Sequence, residues 1–331
     1  MLVAFTICSN NYLAHAKATG DSFLLHHPEA QFIIGLVDKF CPSFDYLFFK
    51  GLIIVPVEDL KMPEFDEILS KYNIIELNTA VKPAYIHYIF NKYKVDKLLY
   101  IDPDILVESY FDEVLNYLDD KNIIITPHLF TPIDDDKTPT DHQTLGGGVF
   151  NLGFIGLSDY PKIVGFLNWW HDRVIKYGYA KQSESMFYDQ LWINYVPCLY
   201  DNYLILKHPG YNIAHWNLHE RYLNLDINNS FVVNNNFKLR FFHFSGYKFD
   251  RPYLICSYGN RFTFDDRPDL KALFDKYLVI LKANRVDEIK CLPVFYYPTL
   301  GMVEVIKKSS MYNKFVIRLK IVFKVLIYGH L

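Results

Sequence analysis

Asp102 and Asp104 are the residues whose types and spacing point most directly to chemistry. They flank Pro103 at the end of the apolar run Lys97–Ile101, and Ile105-Leu106-Val107 follows. In an extended backbone, positions i and i+2 project to the same side, so both carboxylates face one point. Pro103 biases Asp102 away from helix and towards extended geometry. Two oxygen donors side by side at a strand end suit a divalent cation, and the cation in turn suits a diphosphate. Asp and Pro are also turn residues, so the triplet by itself leaves a surface turn open.

A second group lies at residues 240–248, Arg-Phe-Phe-His-Phe-Ser-Gly-Tyr-Lys. A neutral imidazole at His243 would complete a metal site begun by carboxylates, and Lys248 would lie against phosphate oxygens. A single histidine at the end of an apolar strand is also an ordinary hydrogen-bonded core residue.

These groups need elements to hold them. Strands are expected at Leu2–Cys8, 31–37, 52–57, Lys97–Ile101, 122–126 and 149–157. Helices are expected at 12–25, 64–71, 79–93, 161–177 and 184–195. The β-α-β rhythm predicts an α/β fold with a mostly parallel sheet flanked by helices. Such sheets bind ligands beyond the carboxyl ends of their strands, where the Asp pair falls. Residues 127–144 read as a polar loop, and Gly146-Gly147-Gly148 as a flexible loop or a lid over an acceptor. Gly153 and Gly156 interrupt a strand, which signals a bulge or a close backbone approach.

The chain has 331 residues, 51% hydrophobic and 21% charged, enough for one large domain with an extension. A net charge of −3 leaves no electrostatic footprint for nucleic acid. Five scattered cysteines without a Cys-x-x-Cys pair argue against a disulfide framework and for a reducing compartment. With no basic leader and no bilayer-length apolar stretch, the expected location is cytoplasmic. Residues 302–331 carry Lys307, Lys308, Lys314, Arg318, Lys320 and Lys324 against Glu304 alone. They read as a basic amphipathic tail suited to peripheral contact with anionic lipid on the inner membrane face, or as a closing helix.

Taken in order, several motifs resemble one family. They are Thr6–Asn11 with Tyr12-Leu13-Ala14, Leu77–Ala84, Tyr100–Asp104, Phe150-Asn151-Leu152-Gly153-Phe154, Tyr188-Asp189-Gln190-Leu191-Trp192, Gly210–Leu218 and His243–Gly246. The order Asp-x-Asp, Phe-Asn-x-Gly, Asp-Gln, His-x-x-Gly resembles retaining glycosyltransferases of the GT-A fold, family 8 and related bacterial surface-polysaccharide sugar transferases. The resemblance implies a Rossmann-like GT-A catalytic domain at 1–255, a C-terminal helical part at 256–301 packed on it, and the tail at 302–331.

The resemblance also implies roles. Asp102, Asp104 and His243 would bind Mn²⁺ or Mg²⁺. Thr6, Ser9, Asn10 and Tyr12 would line the nucleoside pocket of a nucleotide-sugar donor, UDP-sugar first among the candidates. Lys82 would sit near the donor, and Lys248 with Gly246 at the diphosphate. Asn151, Asp189 and Gln190 would face the sugar and the reacting centre, with a glycan or glycolipid as acceptor. The family places Lys-Pro directly after the glycine segment; here Phe249-Asp250-Arg251 separates Lys248 from Pro252, which makes Arg251 a rival phosphate contact. The alternatives are an inverting enzyme of the same fold, with Asp189 as general base, and a non-catalytic glycan- or nucleotide-binding protein.

Overall fold

The computed structural model describes residues 1–296. The basic segment expected at 302–331 lies outside the described residues. The strands that matter here are β1 (Leu2–Cys8), β2 (Gln31–Leu36), β3 (Ile53–Pro56), β4 (Lys97–Ile101), β5 (Ile105–Val107), β6 (Ile123–Pro127) and β7 (Phe150–Ser158). The helices are α1 (Leu13–His26), α2 (Phe65–Lys71), α3 (Ile74–Ala80), α4 (Lys82–Lys92), α5 (Asp112–Tyr117), α6 (Asp141–Gly147) and α7 (Tyr160–Tyr177).

A seven-stranded sheet runs in the order Tyr203–Ile205, β6, β7, β4, β1, β2, β3. β7 lies antiparallel between β4 and β6, and the other pairings in this sheet are parallel. The chain is thus an α/β protein with a mixed, mostly parallel sheet. Both faces are covered, which is why β1, β2 and β7 are near-continuous apolar runs. One core packs α1 and helix Lys271–Ala283 on the sheet through Leu13, Phe23, Phe274 and Tyr277. The opposite core packs α4 and α7 through Tyr85, Ile86, Phe166 and Trp170. In α7 the buried Ile163, Phe166, Leu167, Trp170 and Val174 recur at helical spacing. Burying side chains of this size contributes about 1.5–3 kcal/mol each.

Three expectations change. The helix expected at 79–93 is two helices, with the break at Val81. Pro83 has no amide hydrogen to continue α3, and Asn73 starts that helix earlier through a capping box with Glu76. The helix expected at 184–195 is instead a short hairpin, Ala180–Lys181 with Met186–Phe187, followed by a 3₁₀ turn, Gln190–Tyr195. The expected loop at 127–144 and the glycine run contain α6, begun by a capping box between Thr140 and Gln143 and ended at Gly148.

Candidate active site

The chain leaves β4 at Ile101, turns through Asp102-Pro103-Asp104, and re-enters extended structure in β5. The turn is held from three directions. Asp102 N–H donates to Gly153 O at 2.8 Å, Ile105 N–H to Asp102 O at 3.2 Å, and Thr19 Oγ1 to Pro103 O at 2.7 Å. β5 pairs antiparallel with strand Phe241–His243, which places His243 opposite Ile105. A histidine far along the chain thereby reaches the carboxylates.

One ligand atom from each of Asp102, Asp104 and His243 lies within 4.8 Å of the others. His243 Nε2 is 3.2 Å from Asp104 Oδ1 and 3.6 Å from Asp102 Oδ2. Its Nδ1 faces Asn212 Oδ1 at 3.3 Å. An acceptor at that position holds the proton on Nδ1 and turns the Nε2 lone pair towards the carboxylates, the tautomer a metal-ligating histidine needs. The donor set, two oxygens and one imidazole nitrogen, fits a divalent cation, the nitrogen favouring Mn²⁺ over Mg²⁺.

Burial and charge divide the carboxylates. Burial holds Asp102 above the usual carboxylate range against the pull of Lys82 and His243. Burial also pushes Asp104 up, but the adjacent imidazole outweighs it and leaves Asp104 below its ordinary value. Burial disfavours the charged imidazole of His243, yet Asp104 and Asp102 outweigh it and raise its pKa. Tyr100 Oη donates to Asp102 Oδ1 at 2.5 Å and fixes that carboxylate's rotamer.

The triad opens onto a cavity of about 610 Å³ that is also lined by Lys82, Asn151, Asp189 and Gln190. Lys82 Nζ lies 2.6 Å from Asp189 Oδ2, with both side chains 2–3% exposed, and 4.0 Å over the Tyr100 ring. Trp170 of α7 donates to Asp189 O at 3.2 Å. The Gln190 amide is engaged at both ends: its oxygen accepts from Leu152 N–H at 2.8 Å and Asn151 Nδ2 at 3.3 Å, and Nε2 donates to Gly147 O at 2.8 Å. Asn212 Nδ2 in turn donates to Asn151 Oδ1 at 3.0 Å and Thr126 Oγ1 at 2.8 Å. A buried amide chain thus runs from His243 through Asn212 and Asn151 to Gln190.

The structure therefore brings together Asp102, Asp104, His243, Lys82, Asn151, Asp189 and Gln190. It does not bring Thr6, Ser9, Asn10, Tyr12, Gly246 or Lys248 to the wall of this cavity. Thr6, Ser9 and Asn10 are buried at the end of β1. Asn10 Nδ2 donates to Lys39 O at 2.8 Å and Pro293 O at 3.2 Å, and Phe295 N–H donates to the buried Asp38 at 2.8 Å. Residues 293–295 thus engage the polar groups at this strand end. Tyr12 stacks on His15 at 4.0 Å. Lys248 is half-buried and Arg251 exposed. Gly246 has φ +76°, and a Cβ there would meet Cys256 Sγ at 2.5 Å, so the turn after His243 requires glycine.

Sequence reasoning gave no role to Asn212, Tyr100 or His128. Asn212 lies inside a motif already singled out, but only the fold shows its amide meeting His243. His128 Nε2 meets Asn151 Nδ2 at 3.2 Å by the same kind of long-range contact.

No family model matches the chain. The chain is 24% identical over 200 residues, 60% of its own length, to the uncharacterized protein YfnF of Bacillus subtilis (strain 168). That match spans 66% of the relative, just under two thirds. Among solved structures, the galactosyltransferase LgtC, in complex with donor and acceptor sugar analogs, is 13% identical with a TM-score of 0.47, covering 86% of this chain and 96% of that one. The glycosyltransferase GlyE of Streptococcus pneumoniae TIGR4 is 14% identical with a TM-score of 0.45, covering 88% and 65%. The bifunctional glycosyltransferase WbbM is 15% identical with a TM-score of 0.49, covering 84% and 49%.

Proposed function

We propose that the chain is a metal-dependent glycosyltransferase of the retaining GT-A, family 8 type, moving a sugar from a nucleotide sugar to a glycan or glycolipid. The observation that carries this reading is the convergence of Asp102, Asp104 and His243 on one point at the edge of a cavity that also holds the buried Lys82–Asp189 pair. The ordered sequence motifs supply the same constellation independently. Residues 1–255 form the catalytic domain, and helices Lys271–Ala283 and Val286–Ile289, contacting α1, form its extension.

Asp102, Asp104 and His243 would hold Mn²⁺ or Mg²⁺. When bound, the cation supplies Lewis-acid stabilisation of the charge that develops on a departing diphosphate. In the reaction the bond between the anomeric carbon and the diphosphate oxygen breaks, and the diphosphate keeps the electron pair. The acceptor oxygen bonds the same carbon from the same face, and its proton passes to the departing phosphate. Asp189, negative but paired with Lys82, would face the cationic sugar carbon. Its pairing to Lys82 favours this electrostatic role over that of a general base in an inverting reaction. Asn151 and Gln190 would position the floor of the sugar site.

Thermal melting against UDP-, GDP- and other nucleotide sugars, with and without Mn²⁺, tests the reading. One donor is expected to raise the melting temperature only with the metal, and Asp104→Ala should abolish that shift. A metal-dependent shift that survives Asp104→Ala would move the site elsewhere. No binding, hydrolysis or transfer with any donor would favour a non-catalytic protein. An inverted product by NMR would overturn retention.

A further inference from the structure

β4, β1 and β2 run parallel, so their carboxyl ends share one edge of the sheet, and antiparallel β7 brings its first residues to the same edge. In the sheet order β7 lies on one side of β4, and β1 and then β2 lie on the other. Asn151 and Leu152 of β7 line the cavity beside the Asp102 turn of β4. A donor with its sugar towards β7 and its diphosphate at that turn extends its nucleoside the other way. It then lies over the ends of β1 and β2, about 4.8 Å further with each strand. The polar groups at those ends include Ser9, Asn10 and Asp38, none more than 3% exposed.

Two of these groups hold a partner from the far end of the described chain. Asp38 Oδ1 accepts from Phe295 N–H at 2.8 Å, and Asn10 Nδ2 donates to Pro293 O at 3.2 Å. Nearer groups fix both side chains in place. Asn10 N–H donates to Asp38 Oδ2 at 3.2 Å, Lys39 N–H to Asp38 Oδ1 at 3.0 Å, and Tyr46 Oη to Asn10 Oδ1 at 2.7 Å. An acceptor and a donor are thus pre-set together at the strand ends, out of water.

The segment that fills them has no core of its own. None of Pro293, Val294, Phe295 and Tyr296 is buried, and Phe295 is 46% exposed. Its other ties lie at or near the surface: Tyr296 Oη donates to Glu58 Oε1 at 2.5 Å, and the Tyr296 ring meets Lys39 at 5.6 Å and the edge of Phe65 at 5.2 Å. Backbone hydrogen bonds to two buried polar groups hold the segment more than apolar burial does. Those groups need a partner whichever chain or ligand supplies it.

We propose that residues 293–296 are an autoinhibitory strap: they take the place of the nucleoside at Asn10 and Asp38, and nucleotide binding requires them to leave. The proposal rests on the nucleotide-sugar reading for the path of the donor. A base displaces the strap by offering what the strap offers, an N–H for Asp38 and an acceptor for Asn10, so neither buried group is stranded during the exchange.

Hydrogen exchange by mass spectrometry on the full chain tests this, with Mn²⁺ and UDP, GDP, CDP or ADP in turn. A nucleotide that binds is expected to speed exchange of the Phe295 and Tyr296 amides, the opposite of the slowing produced by a ligand that covers a fixed wall. Phe295→Pro, at an exposed position, removes the N–H given to Asp38. It should tighten nucleotide binding at least about fivefold, because a strap held less well leaves the site open more of the time. Tyr296→Phe breaks only the contact with Glu58 and should tighten binding about twofold. Slowed or unchanged exchange at 293–296 with nucleotide bound, or two variants that bind no more tightly than the wild-type chain, overturns the strap. Metal-dependent hydrolysis of nucleotide sugars of the same four bases is measured in parallel. Hydrolysis without release of the strap sinks the strap alone, whereas release by a nucleotide without hydrolysis or transfer sinks the catalytic reading alone. Binding of none of the four nucleotides overturns both.

Discussion

Gly153 and His243 pack so closely that a Cβ on residue 153 would lie 2.4 Å from the imidazole Cε1 and 2.7 Å from Nδ1. β7 gives up a side chain at this point so that the ring can sit between the sheet and the two carboxylates. Gly153→Ala must push the imidazole away from Asp104, since the other side of the methyl meets Asn151 Oδ1 at 2.8 Å. Overpacking of this kind costs about 1–3 kcal/mol of stability. The larger effect falls on the metal: Mn²⁺ affinity by titration is expected to drop about 10–100-fold, the range for disturbed metal surroundings. Wild-type affinity in the alanine variant would show that His243 is not a ligand.

Asn212 makes a separate prediction because it acts on His243 without touching the cation. Its backbone is left-handed, at φ 52°, so Asn212→Gly keeps that conformation and removes only the amide. The imidazole then loses the acceptor that fixes its tautomer, and Asn151 and Thr126 lose a donor. Mn²⁺ affinity is expected to fall about 10–100-fold while the protein still melts cooperatively. Titration of Mn²⁺ against both proteins checks this, and an unchanged affinity would mean that another group holds the ring.

These relationships mark where sequence reading stops. The mostly parallel sheet, the strand that delivers Asp102 and the close approach at Gly153 were legible because local apolar runs, proline and glycine report local geometry. Even α6 had its signature, Thr140 followed by Gln143 three residues on, although the polar composition around it read as loop. The pairing of β5 with strand Phe241–His243 joins segments over 130 residues apart, and no local pattern records it. The same holds for the amide chain through Asn212, Asn151 and Gln190. For Asn151 and Gln190 the resemblance implied contact with sugar, whereas the fold engages most of the polar atoms of the three amides with one another.

The Lys82–Asp189 pair is buried on both sides, at 2.6 Å, so removing one partner strands the other charge. Asp189→Asn is expected to destabilise the fold by about 3–5 kcal/mol, as for other broken buried pairs. Lys82→Met should cost a similar amount at pH 8 and less at pH 5. Burial already holds the Asp189 carboxyl above its usual range, and without the lysine it escapes by taking up a proton. The double variant should cost less than the sum by about 1–3 kcal/mol. Urea unfolding of the three proteins at both pH values measures this, and strict additivity would mean that the two charges are uncoupled.

His27 sets the direction of the acid response. Its Nδ1–H donates to Phe23 O at 3.1 Å, and its Nε2 accepts from Phe111 N–H at 3.0 Å, so only the neutral ring satisfies both contacts. Burial accordingly lowers its pKa from 6.5 to about 4, and burial does the same to His15 and His128. Folded values below unfolded ones mean that this stability is fully present above pH 6.5 and is lost as pH falls towards 4. In that window the unfolded chain binds protons that the folded chain refuses, at about 1.4 kcal/mol per pH unit for each such histidine. Urea unfolding of the metal-free protein between pH 7.5 and 4.5 should therefore show stability falling on acidification, offset in part by Asp102, Asp189 and His243, whose raised pKa values favour proton uptake in the fold. A rising profile would mean that this uptake outweighs the three neutral rings.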